Sequence, residues 1–231
     1  MKKHRESGVT LIEILIAVSL LSLLSVGMLV AMRLGFSTMD KADARLVQNR
    51  RVSNSRAIIE NEIDGFMFSL ANYRPQPNQV NPVLFLEAEP QSMRFVTAYS
   101  IDDAWRGLPR IAVLQVIPGE NNQGVRLIVN ETPYTGPEQT GQEITGLEQQ
   151  PGAPPLVHFA PVPPGSASFV LADRLAYCRF SYLELYRDPA APAPSRRWFP
   201  TWRQSGLLPL AIRIEMAPLD PEPTTLQVST V

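Results

Sequence analysis

Glu13 is the only charged residue in an apolar run that extends from Val9 to Met32. A carboxylate at the centre of a bilayer costs about 2.5–3.5 kcal/mol on insertion scales, so it needs a shallow position or a positively charged partner. Cleavage of the chain after Gly8 would give Val9 a free cationic amine four residues before Glu13. Such an amine on one helix would neutralise the carboxylate of a neighbouring helix inside the membrane and fix the register of the two helices.

The other residue types that support catalysis or metal binding are scarce. His4 and His158 are the only histidines and Cys178 is the only cysteine, so one chain cannot supply several His or Cys ligands to a metal. A Ser-His-Asp arrangement would have to use one of the two histidines. We interpret His158 as a structural residue and Cys178 as a small core residue rather than a nucleophile.

The composition is that of a globular protein without a strong overall charge. The chain has 231 residues, which is enough for one or two domains with a hydrophobic core. Its 21 Lys and Arg residues balance 22 Asp and Glu residues, so no global field favours nucleic acid or anionic lipid. The single cysteine excludes an intramolecular disulfide, and the fold must therefore depend on packing.

The apolar run predicts a membrane-spanning helix at residues 9–32. Roughly 24 residues at about 1.5 Å per residue give a helix of about 36 Å, longer than a hydrocarbon core of about 30 Å. Lys2, Lys3 and Arg5 precede the run, which predicts a cytoplasmic N-terminus and an extracytoplasmic remainder. Residues 33–36 offer no small-residue cleavage site, so we expect the segment to be kept as an anchor.

The helix is predicted to continue beyond the membrane as residues 33–74. No proline occurs between residues 33 and 64, and apolar residues recur there at intervals of three, four or seven, as on one helical face. This apolar stripe consists of Leu46, Val52, Ile59, Ile63 and Phe66 or Met67. Pro75 is the residue expected to enforce the end of the helix.

Residues 75–231 are predicted to form a β-rich domain, because short apolar or alternating segments are bounded there by turn residues. The predicted strands are 83–86, 93–96, 111–117, 125–129, 168–171, 175–186, 210–216 and 226–229. In the longest strand, one face would carry Ala176, Cys178, Phe180 and Tyr182.

Two stretches rich in proline, glycine and glutamine, 133–155 and 188–200, are predicted to be loops. No second long helix is evident in the sequence. The predicted fold class is therefore α+β, with one long N-terminal helix packed on an antiparallel sheet domain.

The segment Gly8-Val9-Thr10-Leu11-Ile12-Glu13 resembles the start of type IV pilins and of the pseudopilins of type II secretion. In that family a prepilin peptidase cuts after the glycine and methylates the new N-terminal residue, and the glutamate at the fifth mature position directs assembly. The resemblance implies that residues 1–8 are a leader, that Val9 becomes the N-methylated terminus and that Glu13 is the assembly carboxylate. It implies a pilin-like fold, no catalytic residue, no metal and no cofactor.

Within this family, the features favour the minor pseudopilins of the J type. Val30 stands where major type IV pilins usually carry a proline, and one cysteine excludes their C-terminal disulfide loop. Asp220-Pro221-Glu222-Pro223 is a poor match to the calcium loop of the major pseudopilin. The K type lacks the assembly glutamate and carries a large helical insertion. Trp202 followed by Leu208-Pro209-Leu210-Ala211-Ile212-Arg213-Ile214 resembles the C-terminal region of J subunits.

A J-type subunit is a structural component of the pseudopilus tip that helps to initiate assembly for protein export across the outer membrane. The resemblance implies as partners minor pseudopilins of the I and K types, the pseudopilin core, the prepilin peptidase and inner-membrane lipid, but no nucleic acid. It also implies a single pass through the bacterial inner membrane with the C-terminal domain in the periplasm.

Two other functions are compatible with parts of the sequence. A minor type IV pilin for adhesion or DNA uptake would share the leader, and residues 196–203 interleave arginines with aromatic residues, as surfaces for single-stranded nucleic acid do. We expect instead that these tryptophans cover the sheet while the arginines are solvated. A membrane-anchored periplasmic enzyme would need convergent titratable groups, and the sequence offers no cluster for them.

Overall fold

The computed structural model describes residues 10–101, 105–150, 153–165, 168–186, 194–203, 207–219 and 227–230. The chain divides into two compact units, Met1–Val52 and Ser53–Val231. Helix α1 (Leu11–Asp64) begins in the first unit, and its residues 53–64 belong to the second. The remaining helices and strands lie in the second unit.

In the first unit, Leu11–Phe36 is long and apolar enough to cross a membrane. Its 26 residues correspond to a helix of about 39 Å. Three serines interrupt the apolar sequence, and each hydroxyl donates to a backbone carbonyl of the preceding turn at 2.8 Å. These serines are Ser19, Ser22 and Ser25. Because each of these hydroxyls is hydrogen-bonded within the helix, the serines are compatible with an apolar environment.

Thirteen strands are present in the described part of the second unit. They are β1 (Phe66–Met67), β2 (Leu70–Gln76), β3 (Gln79–Leu84), β4 (Glu87–Ala88), β5 (Ser92–Ser100), β6 (Trp105–Pro118), β7 (Val125–Pro133), β8 (Ile144–Gln150), β9 (Ala153–Phe159), β10 (Phe169–Tyr186), β11 (Ser195–Phe199), β12 (Ala211–Pro218) and β13 (Gln227–Thr230). A short helix, α2 (Pro137–Gln142), lies between β7 and β8, and one turn of 3-10 helix (Glu120–Asn122) lies between β6 and β7.

Nine of these strands form one antiparallel sheet in the order β1-β5-β6-β7-β10-β12-β13. Strand β4 also pairs with β5, and β11 also pairs with β10. Two separate hairpins, β2–β3 and β8–β9, complete the strand pairing. The predicted α+β class, an N-terminal apolar helix followed by an antiparallel sheet domain, is confirmed.

The large sheet buries apolar residues on both faces. Successive residues of a strand point to opposite faces, and Phe95 and Val96 of β5 are both buried. Phe95 belongs to a cluster that includes Ile59 of α1 and Phe180 of β10. Val96 belongs to a second cluster that includes Phe85 and residues of the two hairpins. The end of α1 therefore packs on one face of the sheet, and the hairpins cover part of the other.

Helix α1 ends at Asp64, and the prediction of helix as far as residue 74 is wrong. A Cβ at Gly65 would lie 2.5 Å from the Thr97 side-chain oxygen and 3.0 Å from the Tyr99 backbone nitrogen, so only glycine fits this close approach to β5. The following residue, Phe66, pairs with Thr97 in the sheet. Tertiary strand pairing thus ends the helix well before Pro75.

The apolar stripe on α1 is confirmed where its side chains are described. Ile59 is buried and Ile63 packs against the same cluster; Phe66 also packs there, but from β1 and not from the helix, and Met67 of β1 is exposed. The side chains of Leu46 and Val52 lie outside those that the structure describes.

Strand β10 joins two segments that the sequence divides into separate strands, 168–171 and 175–186. Its pairing with β12 shifts register between Leu175 and Tyr177. Because of this irregularity Leu175 is buried and Ala176 is exposed, so the expectation that Ala176 lies on the core face is wrong. Cys178, Phe180 and Tyr182 are buried together, as predicted.

Both predicted loops contain regular structure. The stretch 133–155 includes α2, β8 and the start of β9, and the stretch 188–200 includes β11. At Gly141 of α2 a Cβ would lie 2.1 Å from the Asn72 carbonyl oxygen, so α2 lies directly against β2. Strand β11 pairs with β10 from Tyr182 to Tyr186. Contacts with distant parts of the chain hold α2 and β11 in place, and such contacts cannot be predicted from composition.

Candidate assembly site and polar clusters

Thr10 and Glu13 form a hydrogen-bonded group at the start of α1. Glu13 Oε2 accepts hydrogen bonds from the Thr10 backbone N–H at 2.9 Å and from the Thr10 hydroxyl at 3.0 Å. The Thr10 carbonyl in turn accepts from the Glu13 N–H at 3.1 Å. A glutamate that reaches back three residues to the N-cap N–H is one half of a capping box, which satisfies a donor that the helix itself leaves unpaired.

This geometry holds the Glu13 carboxylate at the N-terminal end of the helix, where the helix dipole favours a negative charge. The Thr10 N–H that Glu13 binds belongs to the first residue that the structure describes. The cleavage pair, Gly8 and Val9, lies outside the described residues. The structure therefore locates one member of the predicted assembly site, and this carboxylate is exposed.

A second polar cluster surrounds Arg94 of β5, whose exposed fraction is only 1%. Its Nη1 donates to Glu143 Oε2 at 2.8 Å, and its Nη2 donates to the Ala160 carbonyl at 2.7 Å. Its Nε lies 3.0 Å from Glu87 Oε2, an ion pair without hydrogen-bond alignment. The guanidinium also lies 5.0 Å from the centre of the Phe159 ring. This arginine thereby links β4, β5 and the β8–β9 hairpin, which is a structural role.

A third cluster lies beneath the end of α1, where Glu62 has no exposed surface. Burial raises the pKa of the Glu62 carboxyl well above its ordinary value, and the neighbouring Glu131 carboxyl of β7 raises it further. Sequence reasoning missed this residue. Its position offered a signal, because Glu62 lies three residues after Ile59 and four before Phe66, on the apolar face of the helix.

Cys178 lies in the core, as predicted, and His158 lies on the surface. His158 Nε2 lies 3.0 Å from Glu148 Oε2 across the β8–β9 hairpin, on the exposed surface. Cys178 is buried, and burial raises the pKa of its thiol to about 12. Among the described residues no group of three or more His, Cys, Asp or Glu side chains is arranged to hold a metal ion. The acidic stretch 220–223 lies outside those residues.

In the basic and aromatic stretch 196–203, the tryptophans are used by the fold. The Trp202 backbone N–H donates to the Ala88 carbonyl at 2.9 Å, and its ring packs against the main core. The guanidinium of Arg213 lies 3.9 Å from the centre of the Trp198 ring. Arg196 and Arg197 are exposed. The expectation that tryptophans cover the sheet while arginines are solvated is confirmed for these residues.

A groove of about 330 Å³ lies between the β2–β3 hairpin, β4, β9 and Trp202. Its lining is mostly apolar, and two carboxylates, Glu87 and Glu89, lie in it. Glu87 lies against Arg94, and Glu89 pairs with Arg203 at 3.1 Å. Both acids are therefore engaged in ion pairs that connect elements of the fold.

The comparisons with known proteins concern the N-terminal segment. Residues 3–29 match the family model described as the prokaryotic N-terminal methylation motif. Comparison of the chain with curated proteins gives no match, and neither does comparison with solved structures. The matched residues include Gly8, Val9 and Glu13 together with much of the apolar helix.

The motif supports a type IV pilin-like or pseudopilin protein. Proteins of this class are structural and are not known as enzymes. The motif and the apolar helix together suggest a membrane anchor followed by a C-terminal soluble domain.

Proposed function

We propose that this protein is a minor pseudopilin of the J type, a structural subunit that helps to initiate the pseudopilus of a type II secretion system. The observation that carries the proposal is the position of Glu13. Its carboxylate is exposed in the first turn of an apolar helix and lies within the matched methylation motif. The length of the chain, and the resemblance of Trp202 and residues 208–214 to the C-terminal region of J subunits, support the J type over the other pseudopilin types.

In the proposed assembly reaction, prepilin peptidase cuts between Gly8 and Val9, and Val9 is N-methylated. The new cationic amine of Val9 then lies one helical turn from Glu13 and can pair with the Glu13 carboxylate of a neighbouring subunit. Two opposite charges within a few ångströms neutralise each other, which lowers the penalty for keeping both in lipid. The apolar surface from Leu11 to Phe36 contacts lipid and the neighbouring helices.

Processing is tested by expressing the full chain with and without prepilin peptidase and measuring the mass of its N-terminal peptide. We expect the loss of residues 1–8 and the gain of one methyl group at Val9 only when the peptidase is present. A Gly8→Glu variant serves as the control and should remain uncut. An uncut wild-type chain in the presence of active peptidase would contradict the assignment to this class.

The J-type role is tested by co-expressing the full chain with the I- and K-type subunits of the same genome and purifying the complex in mild detergent. We expect a stable stoichiometric complex from the wild type and less of it from Glu13→Gln, which removes the charge at nearly constant shape. Thr10→Val is the matched control, because it removes the hydroxyl bond to Glu13 but keeps the carboxylate and the backbone N–H. If Glu13→Gln left both the complex and secretion unchanged, the assembly role would be withdrawn.

A minor type IV pilin is the second candidate, because the methylation motif fits both kinds of filament subunit. Retention of the chain by pilus subunits or by DNA, with no complex formed with I and K subunits, would favour it. The placement of Arg213 over the Trp198 ring argues against DNA binding by base stacking, since that ring face is already covered.

A further inference from the structure

Glu62 is a buried acid with one hydroxyl beside it, that of Thr97, which lowers the pKa of the carboxyl less than burial and Glu131 raise it. It lies in the last turns of α1, it has no exposed surface, and neither of its carboxyl oxygens receives a hydrogen bond from the described part of the chain. The neighbouring Thr97 hydroxyl donates instead to the Glu62 backbone carbonyl at 3.0 Å and accepts from the Tyr99 N–H at 3.1 Å. An ionised carboxylate without a donor is very unfavourable in such a place.

The group that faces Glu62 is a second carboxyl, that of Glu131 on β7. Glu131 Oε1 accepts a hydrogen bond from the Ile101 backbone N–H at 2.9 Å, and its Oε2 is buried without a donor. Two ionised carboxylates in contact repel each other, whereas one proton between them gives each an interaction partner. Because Glu131 already acts as an acceptor, the geometry favours the proton on Glu62.

Without a bound proton, another group near Glu62 and Glu131 would have to offset their charge. On β5, Thr97 and Tyr99 are engaged as described, and on β6, Arg110 is paired with Thr97 in the strand register. Arg110 is engaged in an interaction, and it is not among the groups that shift the pKa of Glu62. On α1, Glu60 is bound to Arg56 at 2.7 Å in the outward-facing pair. Residues 102–104 lie outside the described residues.

We propose that Glu62 and Glu131 form a proton-dependent latch that fastens the end of α1 to the sheet and weakens as the pH rises. The latch lies wholly in the unit Ser53–Val231 and does not depend on the proposed filament role. Its direction follows from linkage. The Glu62 carboxyl has a higher pKa in the folded chain than the ordinary 4.5, so the folded state holds a proton that the unfolded state has released.

The stability that this proton provides is fully present below pH 4.5 and is lost as the pH rises from there through the folded pKa. One linked proton changes the unfolding equilibrium constant by up to about tenfold per pH unit, equivalent to about 1.4 kcal/mol. The wild type should therefore become less stable between pH 6 and pH 8, beyond what the exposed groups cause.

The test compares the wild type with Glu62→Gln, both as the full chain in detergent micelles, by urea unfolding at a series of pH values. A glutamine amide is neutral at every pH and donates an N–H toward Glu131, so it imitates the protonated acid. We expect the wild-type unfolding constant to rise up to about a hundredfold more than that of Glu62→Gln between pH 6 and pH 8. Glu60→Gln, which changes a partly exposed acid two residues away, should keep the wild-type pH dependence. Equal pH dependence in the wild type and Glu62→Gln would overturn the proposal.

If Glu62→Gln fails to fold, Glu131→Gln supplies the second test. It replaces the repelling carboxylate by an amide donor, and we expect it to reduce the pH dependence. Hydrogen exchange gives an independent readout. After correction for intrinsic rates, the amides of residues 58–64 in the wild type should open more as the pH rises, and those of α2 should not. Uniform behaviour of both segments would refute the latch, because a merely structural pair would change stability without a local pH dependence.

Discussion

Replacing Arg94 by methionine tests whether this one buried cation compensates the two carboxylates beside it, those of Glu87 and Glu143. The change removes the guanidinium but keeps an unbranched side chain of moderate length, so the packing around β5 is disturbed little. It leaves Glu87 and Glu143 facing an apolar group, and it leaves the Ala160 carbonyl without the donor that Arg94 provides.

The expected loss of stability follows from the burial of the three side chains. Removing one partner from a buried ion pair costs about 3–5 kcal/mol, because the other charge is left without compensation. The Arg94 side chain is 2% exposed, but Glu87 is 16% exposed and Glu143 is 25% exposed, so water relieves part of the penalty. We therefore expect the lower end of this range, about 3 kcal/mol.

The assay is urea unfolding of the full chain in detergent, followed by tryptophan fluorescence, with the midpoint and slope fitted together. Trp202 is a suitable reporter, because its backbone N–H donates a hydrogen bond to the carbonyl of Ala88, the residue after Glu87. The variant Arg74→Met is the matched control. It removes an ion pair with Glu138 that is largely exposed, and it should change the midpoint little.

A triple variant with Arg94→Met, Glu87→Gln and Glu143→Gln separates electrostatics from packing. It removes both uncompensated charges, so we expect it to recover at least about 1 kcal/mol relative to Arg94→Met alone. If Arg94→Met were no more destabilising than Arg74→Met, or if the triple variant recovered nothing, Arg94 would not be compensating the two buried carboxylates.

Three further predictions concern the helix end, α2 and the core. Ile59→Ala should destabilise the chain by about 2–5 kcal/mol in the same urea assay, because Ile59 is 1% exposed where α1 meets the sheet; a loss below about 1 kcal/mol would contradict that packing. Gly141→Ala should clearly lower the urea midpoint, since its Cβ would lie 2.1 Å from the Asn72 carbonyl oxygen, whereas Gly146→Ala should not, because no atom lies within 4 Å of its Cβ. Equal midpoints for the two variants would argue against the contact of α2 with β2. Cys178 should react with a thiol reagent at pH 8 only as fast as the chain unfolds, because burial raises the pKa of its thiol to about 12; rapid labelling in the absence of urea would show that the strand is accessible.

Several features of the fold could be predicted because their causes are local in the sequence. The apolar helix follows from composition and length, and β5, β6, β7 and β12 follow from short apolar runs between turn residues. The burial of Cys178, Phe180 and Tyr182 follows from period two in β10. The bulge after Leu175 moved Ala176 out of that pattern, because a register shift depends on the partner strand rather than on the strand itself.

Among the functional and buried polar residues too, some could be predicted from the sequence and others could not. Glu13 stands out in the sequence because a carboxylate within an apolar run has a large desolvation penalty, and that penalty depends only on its neighbours along the chain. Glu62 and Arg94 do not stand out, because charged residues are common on helices and strands. Their importance arises from burial and from partners 69 and 49 residues away in sequence, Glu131 and Glu143.

The apolar helix that is long enough to cross a membrane, the position of Glu13 at its start and the α+β class could all be predicted from the sequence, since each depends on hydrophobicity and spacing over short distances. The end of α1 at Asp64, the packing of α2 against β2 and the meeting of Glu62 with Glu131 could be seen only in the folded chain. These features depend on which distant backbone and side-chain groups come together, because strand pairing and burial change the energy of a residue more than its neighbours along the chain do.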